Sequence, residues 1–167
     1  MTMDELNSLD YPGFVEAVGW VFEQSPWEAE RVAARRPFAG VDALHGAMTE
    51  QVERATDAER LALLRAHPDL GARARLSPAS NEEQAGAGLD SLTPDEFERL
   101  HRLNAAYRSR FGFPFLLAVR GSTKHYVLRA LEARMESPPE DEYREALRQA
   151  CRIARFRLEG MVGGDNR

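Results

Sequence analysis

His67 is the residue that the order of this chain best equips for chemistry. It follows an apolar helical run and precedes Pro68, which frees its backbone from helical geometry and sets the imidazole at a helix end. Two readings stand for it: a histidine closing the helix on its own last carbonyls, or a proton donor and acceptor near neutral pH. Ser80, Glu83 and Gln84 form a second group. Ser-x-x-Glu is first of all a capping box, and the Ser/Thr-x-x-Glu start signal recurs at Ser25, Thr56 and Thr93. The helix that Ser80 would head is nevertheless short and glycine-rich, with little apolar stripe to bury. A helix N-terminus also offers free N–H groups and a positive dipole end to an anionic substrate. Arg120 follows a buried run, so its guanidinium emerges from the core at a fixed place, suited to a planar carbonyl or carboxylate.

Other chemistries lack their residues. There is no glycine-rich phosphate loop, Rossmann fingerprint, His-Glu-x-x-His or Cys-x-x-Cys. His45, His67, His101 and His125 stand far apart, so no metal site is expected. The lone Cys151 lies on a periodic helix face and reads as a small buried apolar residue, not a nucleophile. An activity must therefore come from His, carboxylate and Arg side chains alone.

The 167 residues suit one domain, and 43% hydrophobic with 29% charged residues suits a packed core with an ordinary soluble surface. No apolar stretch approaches the roughly 18 residues of a membrane span. The first ten residues carry Asp4, Glu5 and Asp10 and no basic side chain, unlike a signal peptide. One cysteine rules out an internal disulfide framework and suits a reducing cytoplasm. The formal charge of −5 disfavours nucleic acid as a partner. It is unevenly spread, −11 over residues 1–98 and +6 over residues 99–167, and 21 of the 22 basic residues are Arg. Solvated helix faces explain that division. An arginine-lined pocket, or a self-complementary contact between unlike halves, explains it as well.

Positioning falls to helices. Phe14, Ala17, Val18, Val21 and Phe22 recur at helical spacing and stop near Ser25-Pro26. Ser25, Pro26 and Glu28 signal a new start, with Trp27, Ala29 and Val32 behind it. Asp42 opens a helix carrying Leu44, Ala47, Met48 and Val52. Thr56 with Glu59 opens one halted at His67-Pro68, and a polar loop then leads to Ser80. Thr93, Pro94 and Glu96 precede Leu100, Asn104 and Tyr107. The run Phe111 to Val119, broken by Gly112 and Pro114, reads as a buried extended segment and a turn. Two more helices follow, one after Gly121 and one from Ser137-Pro138 to Gly160. The expectation is an all-α, single compact domain of about seven or eight helices with one short extended buried segment, spanning residues 11–159 between tails 1–10 and 160–167.

Motifs along this order carry a resemblance. They are Ser25-Pro26-Trp27, Arg36-Pro37-Phe38, the Arg-Ala-His-Pro-Asp-Leu run from Arg65 to Leu70, the segment Ser80 to Asp90, Leu103 to Tyr107, the Arg-Phe-Gly-Phe-Pro-Phe run from Arg110 to Phe115, Ala118 to Gly121, and Arg152 to Arg155. Together they resemble the OHCU decarboxylase family (2-oxo-4-hydroxy-4-carboxy-5-ureidoimidazoline decarboxylase) of urate degradation, over roughly residues 11–159. The resemblance implies an all-helical homodimer and a cofactor-free enzyme, in stand-alone form, that yields (S)-allantoin. It implies His67 as the catalytic histidine and Glu83 as its partner. Pro68, Ser80, Asn81, Glu82, Gln84, Phe115, Leu116, Leu117, Ala118, Val119 and Arg120 would bind substrate. The last residues do not spell a peroxisomal address, which leaves the cytoplasm as the expected compartment.

A binding module offers an alternative. His67-Pro68-Asp69 after Leu61 to Ala66 is similar to the tripeptide loop of the J-domain in Hsp70 co-chaperones. There the preceding helix is basic; here Arg60 and Arg65 are offset by Asp57 and Glu59, and the residues after Leu70 restart no amphipathic helix. A helical scaffold without catalysis is the third reading, disfavoured because the His, Glu, Gln and Arg positions are all filled.

Overall fold

The computed structural model describes residues 1–71 and 77–162. Among the described residues are nine α-helices, one 3₁₀ turn at Ala33–Arg35 and no strand, so the chain is all-α. The helices are α1 (Met3–Asn7), α2 (Tyr11–Val18), α3 (Trp27–Val32), α4 (Val41–Arg54), α5 (Asp57–Arg65), α6 (Pro78–Gly86), α7 (Pro94–Phe111), α8 (Lys124–Arg134) and α9 (Pro139–Val162). None is long and apolar enough to cross a membrane. The helix beyond the expected number is α1. Thr2 and Glu5 close a capping box over it, and Leu6 is fully buried.

The chain divides into two compact units, Met1–Ala66 with the chain from Ala150 on, and His67–Gln149. The first unit buries Phe14, Val18, Val21, Phe22, Ala29, Val32, Leu44, Met48, Leu63 and Leu64, with Ala150, Ala154 and Leu158 from the later part of α9. Its apolar stripe outlasts its helix. Gly19 caps α2, and Val21 and Phe22 enter the core from the turn that follows. A buried ion pair, Arg157 with Glu23 at 2.8 Å, lies within this unit.

Two of the four expected capping boxes form. Thr56 with Glu59 and Thr93 with Glu96 each make both reciprocal bonds. The other two do not. At α3 the N-cap is Pro26 without a side-chain bond, Ser25 donates instead to the carbonyl of Glu23 at 2.8 Å, and Glu28 is turned into the core. At α6 the cap is Ser77, whose hydroxyl accepts from the amide of Ser80 at 3.2 Å, with Pro78 at the first helical position. A serine followed by proline thus outcompetes Ser80 three residues later, and Ser80 becomes an interior, buried helix residue.

The second unit contains α6, α7, α8 and the start of α9. Leu100, Asn104 and Tyr107 form the buried face of α7, and Gly112 ends that helix in the left-handed conformation, at φ 82°. Residues 114–119 then run without helix, turn or bend, and Phe113 to Val119 are all buried, as the broken apolar run anticipates.

Candidate active site

The residues expected to form the site all fall in the unit His67–Gln149. His67 lies two residues past the end of α5 and is 6% exposed; Pro68 beside it is half-buried. The short loop after it is fastened by three side chains from later in the chain. Arg108 donates to the Asp69 carboxylate at 2.8 Å, Asn104 donates to the carbonyl of Leu70 at 2.9 Å, and the amide of Gly71 donates to the side-chain oxygen of Gln84 at 2.8 Å. Gly71 has φ 73°, and a Cβ there would come within 2.4 Å of the Leu100 side chain. Only glycine allows the loop to lie this close to α7. An imidazole on so constrained a loop is held in place before any ligand arrives.

α6 sorts the Ser80 to Gln84 segment by its 3.6-residue period. Ser80 and Gln84 are buried, Glu83 is half-buried beside them, and Ala87 continues the face beyond the helix end. Asn81 and Glu82 are exposed on the other side. The structure therefore gathers Ser80, Glu83 and Gln84 on one inward face and does not bring Asn81 and Glu82 to it. Through its bond to Gly71, Gln84 ties that face to the loop that begins with His67.

The extended segment supplies the third element. Phe115, Leu116, Leu117, Ala118 and Val119 are between 1% and 8% exposed. Val119 accepts from the amide of Ser122 at 2.9 Å, and Gly121 has φ 75°, so a tight turn carries Arg120 out of the core to an exposed position. Sequence and structure agree that this guanidinium leaves a buried run at a defined point.

Around the segment is a set of residues that motif reading did not assign to the site. Arg134 on α8 donates to the carbonyl of Leu116 at 2.5 Å and to Glu142 at 2.7 Å, with its guanidinium 4.5 Å from the centre of the Phe115 ring. The Tyr107 hydroxyl donates to the same Glu142 oxygen. Burial first, and then that bond, push the phenol pKa above its ordinary value, so Tyr107 stays a donor. Its ring meets those of Phe111, Phe113 and Phe115 with centroids 4.6 to 5.9 Å apart. Gln149 accepts from the amide of Ala118 at 2.9 Å. These residues were hidden because Glu142 stands among acids in the first turn of α9, where it reads as a complement to the helix dipole.

The remaining chemistry-bearing side chains lie elsewhere. Burial pushes the Cys151 thiol up to about 12, as suits a packed residue and not a nucleophile. His45 is bonded to the carbonyl of Cys151 at 2.8 Å, and His101 stacks on Phe97. His125 is 3.9 Å from Glu96. Among the described residues, no three His, Cys, Asp or Glu side chains are grouped to hold a metal ion.

Comparison with known proteins gives consistent results. The sequence profile of the OHCU decarboxylase family matches residues 7–159. The 2-oxo-4-hydroxy-4-carboxy-5-ureidoimidazoline decarboxylase of Haloferax volcanii is 46% identical, over 95% of this chain and 94% of that protein. A crystal structure of (S)-allantoin synthase superimposes with a TM-score of 0.81 at 35% identity, covering 97% of this chain, which spans 54% of the solved one. An OHCU decarboxylase crystallised in the presence of (S)-allantoin has a TM-score of 0.69 at 21% identity, over 82% of this chain and 91% of that one, and shares the fold.

Proposed function

Because the chain belongs to the OHCU decarboxylase family, we propose that it is a carboxy-lyase of urate degradation, converting 2-oxo-4-hydroxy-4-carboxy-5-ureidoimidazoline to (S)-allantoin without a cofactor. The observation that carries this reading is the family match over residues 7–159. The fastened His67 loop supports the roles of individual residues.

The substrate carries its own electron sink, a ring C=N next to the carbon that bears both hydroxyl and carboxylate. As carbon dioxide leaves, the bonding pair moves into the C=N and the ring nitrogen takes a proton; the hydroxyl then gives up its proton as its carbon becomes a carbonyl, and the neighbouring carbon takes a proton. The protein must orient the ring, hydrogen-bond the hydroxyl and deliver a proton to one face. His67, oriented by Glu83, handles the hydroxyl and the proton. Arg120 holds the ring or ureido carbonyls through its planar fork. Pro68, Ser80, Gln84 and Phe115 to Val119 enclose the heterocycle. Burial of His67 strengthens each polar contact it makes, since the local dielectric is low. Residues 11–159 act as the catalytic domain of a cytoplasmic homodimer, as the family resemblance implies.

His67→Asn is the test, followed by circular dichroism of optically active allantoin formed from freshly generated substrate. The expected loss is about 10²–10⁴-fold in rate, the usual worth of a positioned acid–base group. Unchanged rate and handedness would remove His67 from the mechanism.

A further inference from the structure

Residues 114–119 cross the second unit without helix, turn or bend, and a buried chain of that kind must dispose of its backbone polar groups somewhere. In extended backbone the carbonyl of one residue and the amide two residues on point to the same edge. For this segment those groups are the carbonyl of Leu116 and the amide of Ala118. Arg134 of α8 takes the first at 2.5 Å, and Gln149 of α9 takes the second at 2.9 Å. One edge is therefore closed by side chains. The N–H and C=O of Leu117 face the other edge. Among the described residues no protein group hydrogen-bonds to either, although Leu117 is only 8% exposed.

Neither side chain is free to turn away. The Gln149 amide nitrogen donates to Glu145 at 2.9 Å, and a carboxylate can only accept, so the amide oxygen must face Ala118. Arg134 is held by Glu142, which is 1% exposed and also receives the Tyr107 hydroxyl, and by the face of Phe115. We propose that Arg134 and Gln149 are positioning residues. By fixing the closed edge of residues 116–118 they present the Leu117 amide and carbonyl as a paired donor and acceptor for a cyclic urea or amide. A ring with adjacent N–H and C=O pairs with such a residue as a neighbouring strand would. The 2-oxo-imidazoline ring named above has that pattern, and the inference rests on that functional reading.

The test uses the whole chain, labelled with ¹⁵N and titrated with (S)-allantoin, beside steady-state kinetics of Gln149→Met and Arg134→Lys. Met matches the length of Gln without its acceptor, and Lys keeps the charge beside Glu142 without the fork. In the unaltered protein the Leu117 amide resonance is expected to move on saturation. In each variant that movement falls by at least half, KM rises about tenfold as for one lost hydrogen bond, and kcat changes less. A purely structural role would lower the melting temperature and leave KM and the Leu117 shift alone. If the unaltered protein turns over substrate but its Leu117 amide does not respond to allantoin, or if both variants keep the original KM, the positioning role is overturned and the decarboxylase reading stands. An unaltered protein that neither decarboxylates nor binds allantoin would overturn that reading, and the positioning role with it.

Discussion

Glu28 of α3, in the first unit, and Glu142 of α9, in the second, are each 1% exposed. Glu142 is ion-paired with Arg134 and accepts from Tyr107, and its cation reaches on to the Leu116 carbonyl. Among the described residues, neither oxygen of Glu28 has a hydrogen-bond partner. Arg31, one turn further along α3, is engaged with Glu59 on α5 and lies 4.4 Å over the Trp27 ring. Burial is the main cause that lifts the Glu28 carboxyl to about 8; Arg31 opposes it and Glu59 adds to it. The first unit is able to supply a partner, since Glu23 has Arg157 at 2.8 Å. A buried acid can thus brace a buried non-helical segment when a cation and a phenol converge on it. Without them it stays protonated at neutral pH and makes its unit sensitive to base.

The largest expected effect belongs to the acid without partners. Its folded pKa of about 8 lies above the ordinary 4.5, so its contribution to stability is full below about pH 4.5 and is lost as pH rises through about 8. Over that range the loss is on the order of 5 kcal/mol. Urea unfolding from pH 5 to 9 should show the stability of the unaltered protein falling relative to Glu28→Gln; parallel curves would show that the carboxyl ionises normally. Next in size is Arg134→Met, which leaves Glu142 buried without its cation. The expected cost is about 3–5 kcal/mol at pH 7 by chemical denaturation, and a cost below 1 kcal/mol would mean that Glu142 does not depend on the pair. Tyr107→Phe should cost least, about 1–3 kcal/mol, because Arg134 still serves the carboxylate. Combined with Arg134→Met it should depart from additivity, since both side chains meet at Glu142. Strict additivity would separate them.

The same spacing, Ser or Thr followed three residues later by Glu, had different outcomes at different helices. At Thr56 and Thr93 it closed both bonds of the box. At Ser25 the glutamate went into the core, and at Ser80 an upstream serine with its proline took the cap. Local pattern states which bonds are available, and competition from packing and from neighbouring caps decides which form. The extended segment was legible because Gly112 and Pro114 interrupt an apolar run. The position of His67, the proposed catalytic histidine, was legible because proline follows it. The shared face of Ser80, Glu83 and Gln84 needed the true helix start, and so the position of Ser77, to be known.

Composition and periodicity were enough to settle that this is a helical chain, and its ordered motifs were enough to identify its family. Side-chain chemistry at short range is written directly into residue order. The bracing of the His67 loop by Asn104, Gln84 and Arg108, and of residues 116–118 by Arg134 and Gln149, joins positions 13 to 39 residues apart. The fates of Glu28 and Glu142 likewise depended on partners from other helices. Such pairings arise only when the helices pack, because an acid on an amphipathic helix looks the same in sequence whether or not a cation will meet it.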